Sequence, residues 1–500
     1  MQVEGILLII SLLFFVSIIA DKAGYRFGVP SLLLFLAVGM LFGCDGLGIQ
    51  FDNIEIAQAV GTIALCVILF SGGLDTKIDD IKPVMKQGIV LSTVGVFLTA
   101  LFTGLAIWWI LGLTHEAIGF GLATSLLLGA TMSSTDSASV FSILRAKGLR
   151  LKNNLKPMLE LESGSNDPMA YVLTITLLSI VKSNDDPNYF LAIVKVVTQL
   201  IIGGIMGYAM GKLILFLINK LNIENDSLYP ILVLSSCIFI FSATYFLHGN
   251  CYLAVYIGGL IMGNNKIVHK KSTIKFFDGL TWLFQLIMFL ILGLLVKPHE
   301  LIPIIIPGLI VSFLMIFVTR PLSVYLCLLP FKRMQNRDKM FVSWVGLRGA
   351  TPIIFAILSL KADIPNANVL FNIVFFCTLV SLILQGTSLP RVAKYLHVIG
   401  NPKGLKKPEN FDIDLPDEIK SVATEINVTS EMLKKGNRLM DIKFPEKTLA
   451  IMVKRDAGFF VPTGKTVLKE SDKILVITDN SEQLEKALNI PSETINENSF

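Results

Sequence analysis

The chain has 500 residues, of which 53% are hydrophobic and 16% are charged, and its formal net charge is +5. A soluble globular protein carries about a quarter charged residues, so this composition excludes an ordinary soluble protein. The small positive charge, without a basic stripe and interleaved aromatic residues, excludes a nucleic-acid partner. Apolar runs of about 20 residues recur as far as Leu396, and each is long enough to cross the hydrocarbon of a bilayer. The sequence therefore predicts an all-α polytopic membrane protein.

About thirteen apolar segments are predicted to span the lipid bilayer. In chain order they are 5–20, 29–47, 54–74, 87–111, 117–144, 157–181, 190–219, 229–247, 250–263, 276–296, 302–319, 339–360 and 367–389. The first segment lacks the positive region of a signal peptide, so we expect a retained helix. The connections that follow odd-numbered segments are rich in Lys and Arg. One of these connections is predicted to begin at Arg320. This asymmetry predicts an inner-membrane protein with its N-terminus outside and its C-terminus in the cytoplasm.

The cysteines and histidines do not indicate a fixed metal or a cofactor. The six cysteines are scattered without a CxxC pair, and most lie in or beside apolar segments, where Cys acts as a small hydrophobe. His248 and His269 are interpreted as loop residues, with pH sensing as the alternative. Because no nucleophile–base or metal-ligand spacing stands out, an enzyme is not expected.

The fifth segment contains an intramembrane acid, Asp136, within the run GATMSSTDSASVF. Charge inside a membrane span costs about 2.5–3.5 kcal/mol on insertion scales, so such a residue is a functional candidate. Hydroxyl side chains compete for backbone hydrogen bonds, and the run therefore predicts a helix that unwinds beside Asp136. A helix contact built from small residues is the alternative, but it explains only the serines.

The sixth segment contains a second group of polar residues, within the run LELESGSNDPMAY. Four-residue spacing places Glu162 above Asn166 and Ser163 above Asp167 on adjoining faces of a helix. Pro168 lacks an N–H, so it is expected to break the helix ladder and to free the carbonyl four residues earlier. These oxygen atoms suit an alkali cation, although a structural polar network remains the alternative.

The twelfth segment contains Arg348 within the run WVGLRGATPI, and Gly349 and Pro352 are predicted to break its helix. A buried arginine needs an acidic partner, for which we predict Glu162. The alternative is an arginine that reaches the membrane interface. Two interrupted segments in matching halves predict inverted repeats whose two broken helices cross near the midplane. Asp136 is expected to offset the positive half-helix ends, and Arg348 the negative ones.

Four strings, LFSGGLD, SSTDSASVF, ESGSNDP and WVGLRGATPI, together resemble the monovalent cation/proton antiporter superfamily. The nearest branch is the NhaP-type, within it the potassium/proton antiporters linked to cell-volume regulation. The resemblance implies that Asp167 binds cation and proton in competition and that the protein is a homodimer. It implies further site roles for Asn166, Ser163, Thr135 and Asp136, and a structural ion pair between Glu162 and Arg348. Ser137 stands where many sodium-type relatives have proline, which weakens a sodium assignment.

Three regions are predicted after the membrane domain 1–396: a linker 397–417, a small α+β cytoplasmic domain 418–490 and a polar tail 491–500. Short β-branched and aromatic runs between Pro and Gly residues predict strands and turns. The string SEQLEKALN predicts a closing helix with Ser481 as its N-cap. The domain is similar to the ligand-binding half of RCK-type regulators, which implies a small regulatory ligand; a passive dimerisation domain is the alternative. No GxGxxG motif precedes it, so no dinucleotide site is expected.

These features together predict an antiporter that exchanges K⁺ for H⁺. A cation beside Asp167 disfavours the protonated carboxyl, so one site holds either ion but not both. A single titrating carboxylate suggests one-for-one, electroneutral exchange, and Na⁺/H⁺ exchange is the alternative. One rival is a cation channel gated by the cytoplasmic domain, but selective channels use carbonyl rings from repeated subunits. Another is an anion or organic-solute symporter, in which Arg348 alone would have to recognise the anion.

Overall fold

In a computed structural model the chain forms two compact units, Met1–Asn401 and Pro402–Phe500. The division therefore falls a few residues after the boundary predicted at 396, and most of the predicted linker 397–417 lies outside the described residues. The residues that the structure describes are 3–27, 30–113, 120–149, 151–183, 189–221, 223–331, 334–400, 422–428, 432–442, 444–446, 448–455, 458–470, 472–478 and 496–497.

The first unit is helical. Its helices are α1 (Val3–Phe27), α2 (Ser31–Phe42), α3 (Ile54–Asp75), α4 (Ile78–Ile81), α5 (Met85–Val90), α6 (Val96–Leu113), α7 (Leu122–Thr131), α8 (Ser137–Ala146), α9 (Leu155–Lys182), α10 (Tyr189–Lys220), α11 (Leu228–Phe246), α12 (Cys251–Gly263), α13 (Lys270–Leu295), α14 (Pro298–Leu301), α15 (Ile305–Leu314), α16 (Arg320–Leu328), α17 (Asn336–Trp344), α18 (Thr351–Lys361), α19 (Ala367–Ser381) and α20 (Thr387–Tyr395). Within the described residues, eight helical stretches are long and apolar enough to cross a membrane. The predicted number of about thirteen membrane spans stays a prediction.

The order of elements in the first unit repeats along the chain. The helices α4 and α14 begin 220 residues apart, at Ile78 and Pro298. Each leads into a proline-containing 3₁₀ turn, at Lys82–Val84 and Ile302–Ile304, and then into a helix with a π-helical turn. Proline is tolerated in these turns because the first N–H groups of a helix have no intrahelical acceptor. The later pairs α7–α8 and α17–α18 continue the correspondence, as inverted repeats predict.

The outer surface of the first unit is apolar. Phe15 on α1, Ile205 on α10 and Phe246 on α11 are 66%, 62% and 79% exposed. Contiguous exposed side chains of this kind are unfavourable in water and suit contact with lipid. Buried polar residues instead gather inside the unit, around α7, α8, α9, α17 and α18. The first unit is therefore a multi-pass membrane domain with a polar centre.

The second unit contains a five-stranded sheet with the strand order β3-β2-β4-β1-β5. Its strands are β1 (Val422–Asn427), β2 (Thr448–Arg455), β3 (Gly458–Phe460), β4 (Lys473–Thr478) and β5 (Asn496–Glu497). Every strand pairing is antiparallel. The described part of the predicted tail thus belongs to the sheet, and the predicted helix at Ser481 lies outside the described residues.

An ion pair closes one end of this sheet. The guanidinium of Arg455 donates to both carboxylate oxygens of Asp472, at 2.9 and 2.6 Å. Burial raises the pKa of Asp472, but hydrogen bonds from Arg455 and from the backbone N–H of Lys469 outweigh it, so the pKa lies below its usual value. The carboxylate therefore stays ionised and fixes the loop before β4.

Candidate functional site

Within the described residues, two helical segments of the membrane domain are each interrupted by a short non-helical stretch. The first interruption comprises residues 132–136, between α7 and α8, and the second comprises residues 345–350, between α17 and α18. Both were predicted from the sequence, and both are confirmed. Helix ends leave N–H and C=O groups without intrahelical partners, so each interruption needs other atoms to satisfy them.

The first interruption is satisfied in part by its own side chains. The hydroxyl of Ser133 donates to the carbonyl of Ala130 at 2.7 Å, which takes up a carbonyl at the end of α7. Asp136 accepts from the backbone N–H of Ser139 at 3.1 Å and from its hydroxyl at 2.5 Å. A carboxylate at this position caps α8 and lies at the positive end of its dipole.

The second interruption is satisfied by atoms from elsewhere in the chain. Gln385 donates to the carbonyl of Trp344 at 2.9 Å, and the backbone N–H of Arg348 donates to the hydroxyl of Ser381 at 2.9 Å. The guanidinium of Arg348 donates to the carbonyl of Ser134 in the first interruption. The backbone N–H of Asp136 in turn donates to the carbonyl of Leu347 at 2.8 Å. The two interruptions are thus hydrogen-bonded to each other where they cross.

The helix α9 brings Asp167 to this crossing. Its side chain is 7% exposed, and each carboxylate oxygen accepts one hydroxyl donor. Ser134 of the first interruption donates to Oδ1, and Thr351 at the start of α18 donates to Oδ2 at 3.3 Å. Asp167 therefore lies between the two interrupted helices and contacts both.

Three other predicted site residues gather around the first interruption. The side-chain amide of Asn166 donates to the hydroxyl of Thr135 at 2.6 Å and to its carbonyl at 3.0 Å. The hydroxyl of Ser163 donates to the same carbonyl at 3.0 Å and accepts from the backbone N–H of Ser137 at 3.0 Å. The structure therefore brings Asn166, Ser163 and Thr135 together beside Asp136 and Asp167.

The predicted ion pair between Glu162 and Arg348 is wrong. Glu162 pairs instead with Arg320, and both side chains are 2% exposed. The sequence prediction placed Arg320 at the start of the connection that follows segment 302–319. The helix in fact continues through a π-helical turn at Met315–Thr319 into α16, which carries Arg320 into the interior. The apolar stretch that resumes after Pro321 was the signal in the sequence that this helix continues.

The predicted break at Pro168 is also wrong. The helix α9 runs continuously from Leu155 to Lys182 with Pro168 inside it. Pro168 removes one N–H from the hydrogen-bond ladder of α9, and the helix nevertheless continues on both sides of it. The side-chain amide of Asn250 donates to the carbonyl of Pro168 at 2.7 Å and so anchors this turn of the helix. Gly349 and Pro352 do lie at the second interruption, as predicted, Pro352 as the second residue of α18.

A cavity of about 180 Å³ faces the crossing. At the site its lining residues are Thr135, Asp136, Ser137, Ser163, Asp167 and Thr351, and farther along they include Gly72, Asp75, Thr76 and Glu160. Asp75 at the end of α3 is exposed, whereas Asp167 is buried, so the cavity extends from the site towards the surface. Thr351 and Ser134, which hold Asp167, were not singled out by the sequence analysis, although both lie in the two motifs it selected.

The chain is similar to known proteins over most of its length. The family model "Sodium/hydrogen exchanger, transmembrane" matches residues 9–395. The K(+)/H(+) antiporter NhaP of Alkalimonas amylolytica is 39% identical over 479 residues, 94% of this chain and 80% of that protein. The K(+)/H(+) antiporter NhaP2 of Shewanella sp. (strain ANA-3) is 38% identical, over 98% of this chain and 84% of that protein. The structure of the sodium proton antiporter MjNhaP1 from Methanocaldococcus jannaschii superimposes with a TM-score of 0.67 at 22% identity, covering 77% of this chain and 100% of that chain.

Proposed function

The chain belongs to the sodium/hydrogen exchanger family, and on that premise we propose that it exchanges K⁺ for H⁺ at a single site built around Asp167. The observation that carries this proposal is the position of that carboxyl. It is buried, it lies between two interrupted helices, and it faces a cavity that leads towards the surface. A carboxylate in such a place accepts either a proton or a dehydrated cation.

The neighbouring oxygen atoms provide a shell for the cation. Thr135 offers a hydroxyl and a carbonyl, and Ser163 offers a second hydroxyl. The carbonyls of Ser134 and Thr135 lie outside a helix ladder and accept from Arg348, Asn166 and Ser163. The positive charge of a bound cation disfavours protonation of Asp167, and a bound proton removes the charge that holds the cation. Competition at one site therefore couples the two fluxes.

Alternating exposure of this site completes the exchange. Asp75 and Glu160 line the outer part of the cavity, near the end of α3 and the beginning of α9. The predicted orientation, with the N-terminus outside and the C-terminus in the cytoplasm, places these helix ends on the cytoplasmic side of the inner membrane. The lysine- and arginine-rich connections support that orientation. In this state the site is open to the cytoplasm, and reorientation of the crossed helices exposes it to the other side.

The relatives support K⁺ as the transported cation. Two proteins at 39% and 38% identity carry the name K(+)/H(+) antiporter. Na⁺ is the second candidate, because the family model is described as a sodium/hydrogen exchanger. With one titrating carboxylate at the site, we expect one cation to exchange for one proton. We also propose that the protein is a homodimer and that the second unit binds a small ligand.

The test uses everted membrane vesicles loaded with a pH-sensitive dye and given K⁺ or Na⁺. Asp167→Asn should abolish cation-driven proton movement while the protein still inserts into the membrane. Asp338→Asn is the matched control, since Asp338 is also a buried acid, accepts from Asn153 at 3.0 Å and lies away from the cavity. Full exchange by Asp167→Asn, or loss in both variants alike, would refute the assignment. Exchange that does not change when valinomycin collapses the membrane potential would support electroneutrality.

A further inference from the structure

The carboxylate of Asp167 is held from two sides by hydroxyl groups on two different helices. Ser134 donates to one of its oxygens from the first interruption, and Thr351 donates to the other at 3.3 Å from the first residue of α18. Thr351 also lines the cavity and is partly exposed within an otherwise buried stretch of chain. It therefore contacts the carboxyl on the side that the transported ions approach.

The start of α18 leaves the hydroxyl of Thr351 available for this contact. Threonines inside helices of this protein bond back to the carbonyl four residues earlier, as Thr99, Thr244 and Thr378 do at 2.7, 2.7 and 2.9 Å. Thr351 follows the non-helical residues 345–350, so no preceding helical turn offers it such a carbonyl. The backbone N–H of Ile354 bonds to the carbonyl of Ala350 at 3.0 Å, which fixes the first turn of α18 and the position of the threonine.

We infer that Thr351 is a positioning residue that sets how strongly a proton competes with the cation at Asp167, an inference that rests on the proposed function. A hydroxyl that donates to a carboxylate stabilises its charged form and not its protonated form. The charged form is present both with and without a bound cation. Thr351 therefore weakens proton binding and leaves the intrinsic affinity for the cation unchanged.

Charged groups lie on several of the elements around the carboxyl and its cavity. They are Asp136 from the first interruption, Arg348 from the second, Asp75 of α3 and Glu160 of α9 in the lining of the cavity, and the buried pair Glu162 and Arg320. A substitution at Thr351 changes none of these charges. The difference between wild type and a Thr351 variant therefore isolates the contribution of one hydrogen bond.

The experiment compares Thr351→Val, which keeps the shape and removes the hydroxyl, with Thr351→Ser, which keeps the hydroxyl. The apparent KM for K⁺ and for Na⁺ is measured at several pH values in everted vesicles. One hydrogen bond to a charged group is worth about a tenfold change in an equilibrium. For Thr351→Val we expect the KM to rise about tenfold at acidic pH and to match wild type at alkaline pH. The acid limb of the activity profile should move about one pH unit upward, and Thr351→Ser should restore it.

The outcomes separate this inference from the proposed function. A KM raised by one factor at every pH, or by different factors for K⁺ and Na⁺, would make Thr351 a direct cation ligand and overturn a positioning role. An unchanged profile in Thr351→Val, beside an inactive Asp167→Asn, overturns the inference and leaves the proposed function standing. Exchange retained by Asp167→Asn refutes the proposed function itself. Thermal unfolding of both threonine variants in detergent identifies any loss that comes from misfolding.

Discussion

The two interruptions leave similar backbone groups without helical partners, but different atoms satisfy them. The first uses side chains of its own segment, Ser133 and Asp136, which bond to residues three positions away. It also uses Ser163 and Asn166 of α9 and Arg348 of the second interruption. The second relies on Ser381 and Gln385 of a helix later in the chain, and on the first interruption. The comparison teaches that a hydroxyl-rich break supplies some of its own hydrogen-bond partners, whereas the break around Gly346 and Gly349 takes its side-chain partners from other segments. The second interruption should therefore be more sensitive to distant substitutions.

The largest effect is expected at the buried ion pair behind the second interruption. Arg320 pairs with Glu162 and lies against Gly346, where an added Cβ would meet its Nε at 2.9 Å. Glu162→Gln leaves the buried guanidinium without a counter-charge, so the free energy of unfolding should fall by about 3–5 kcal/mol. SDS titration in mixed micelles measures this change. The double substitution Glu162→Leu with Arg320→Met should recover most of it, and a double variant no more stable than the single one would argue against the pair.

A smaller effect is expected where the two interruptions touch. A Cβ on Gly349 would come within 3.0 Å of Cγ and 2.9 Å of Cβ of Asp136, which is tied to both interruptions and has little room to move. Gly349→Ala should therefore lower the free energy of unfolding by about 3 kcal/mol and reduce exchange. Gly346→Ala is the control, since the atoms nearest its added Cβ are Nε, Cγ and Cδ of Arg320 and not atoms of the first interruption, and about 1 kcal/mol is expected. Equal losses in the two variants would mean that the close crossing does not matter.

The next test concerns Gln385, which lies outside the second interruption and donates to the carbonyl of Trp344 at its start. Gln385→Leu leaves the carbonyl of Trp344 without its donor at the end of α17, and the expected loss of unfolding free energy is about 2 kcal/mol. The substitution Gln335→Leu, at an exposed position before α17, serves as the control and should be nearly neutral. If Gln385→Leu is as mild as the control in the same SDS titration, then the second interruption does not depend on this partner.

The smallest effect is expected inside the first interruption. Ser139→Ala removes the hydroxyl that donates to Asp136 but keeps the backbone N–H that also donates, so about 1 kcal/mol should be lost. Ser137→Ala is the matched control, because Ser137 contributes its backbone N–H to Ser163. A loss from Ser139→Ala greater than that from Gln385→Leu would reverse the comparison between the two interruptions.

Much of the site was predictable because its signals are local. A run of Ser and Thr competes with the helix ladder within three or four residues, so the break beside Asp136 can be located from the sequence. Asn166 and Asp167 fall on adjoining faces of a single helix, and the approach of Asn166 to Thr135 follows once the neighbouring helix unwinds. The resemblance to cation/proton antiporters added the expectation that these residues form one site.

The partners of the buried charges were not predictable in the same way. The sequence offered Arg348 as a partner for Glu162 because Arg320 seemed to end a span, yet Glu162 and Arg320 meet across 158 residues. A π-helical turn before α16 changes which face of that helix points inward, and it has no clear sequence signature. At Pro168 the sequence predicted a break that the structure does not contain, since one missing N–H does not break a helix that is packed on several sides.

The sequence by itself determined the membrane class, the two interrupted helices and the acid between them, because hydrophobic length, hydroxyl competition and the cost of buried charge act locally. Only the tertiary structure decided that Arg320 neutralises Glu162, that Arg348 holds the Ser134 carbonyl and that Thr351 reaches Asp167. These contacts join residues far apart in the chain. Their geometry depends on how the helices cross and turn, which a one-dimensional pattern does not specify.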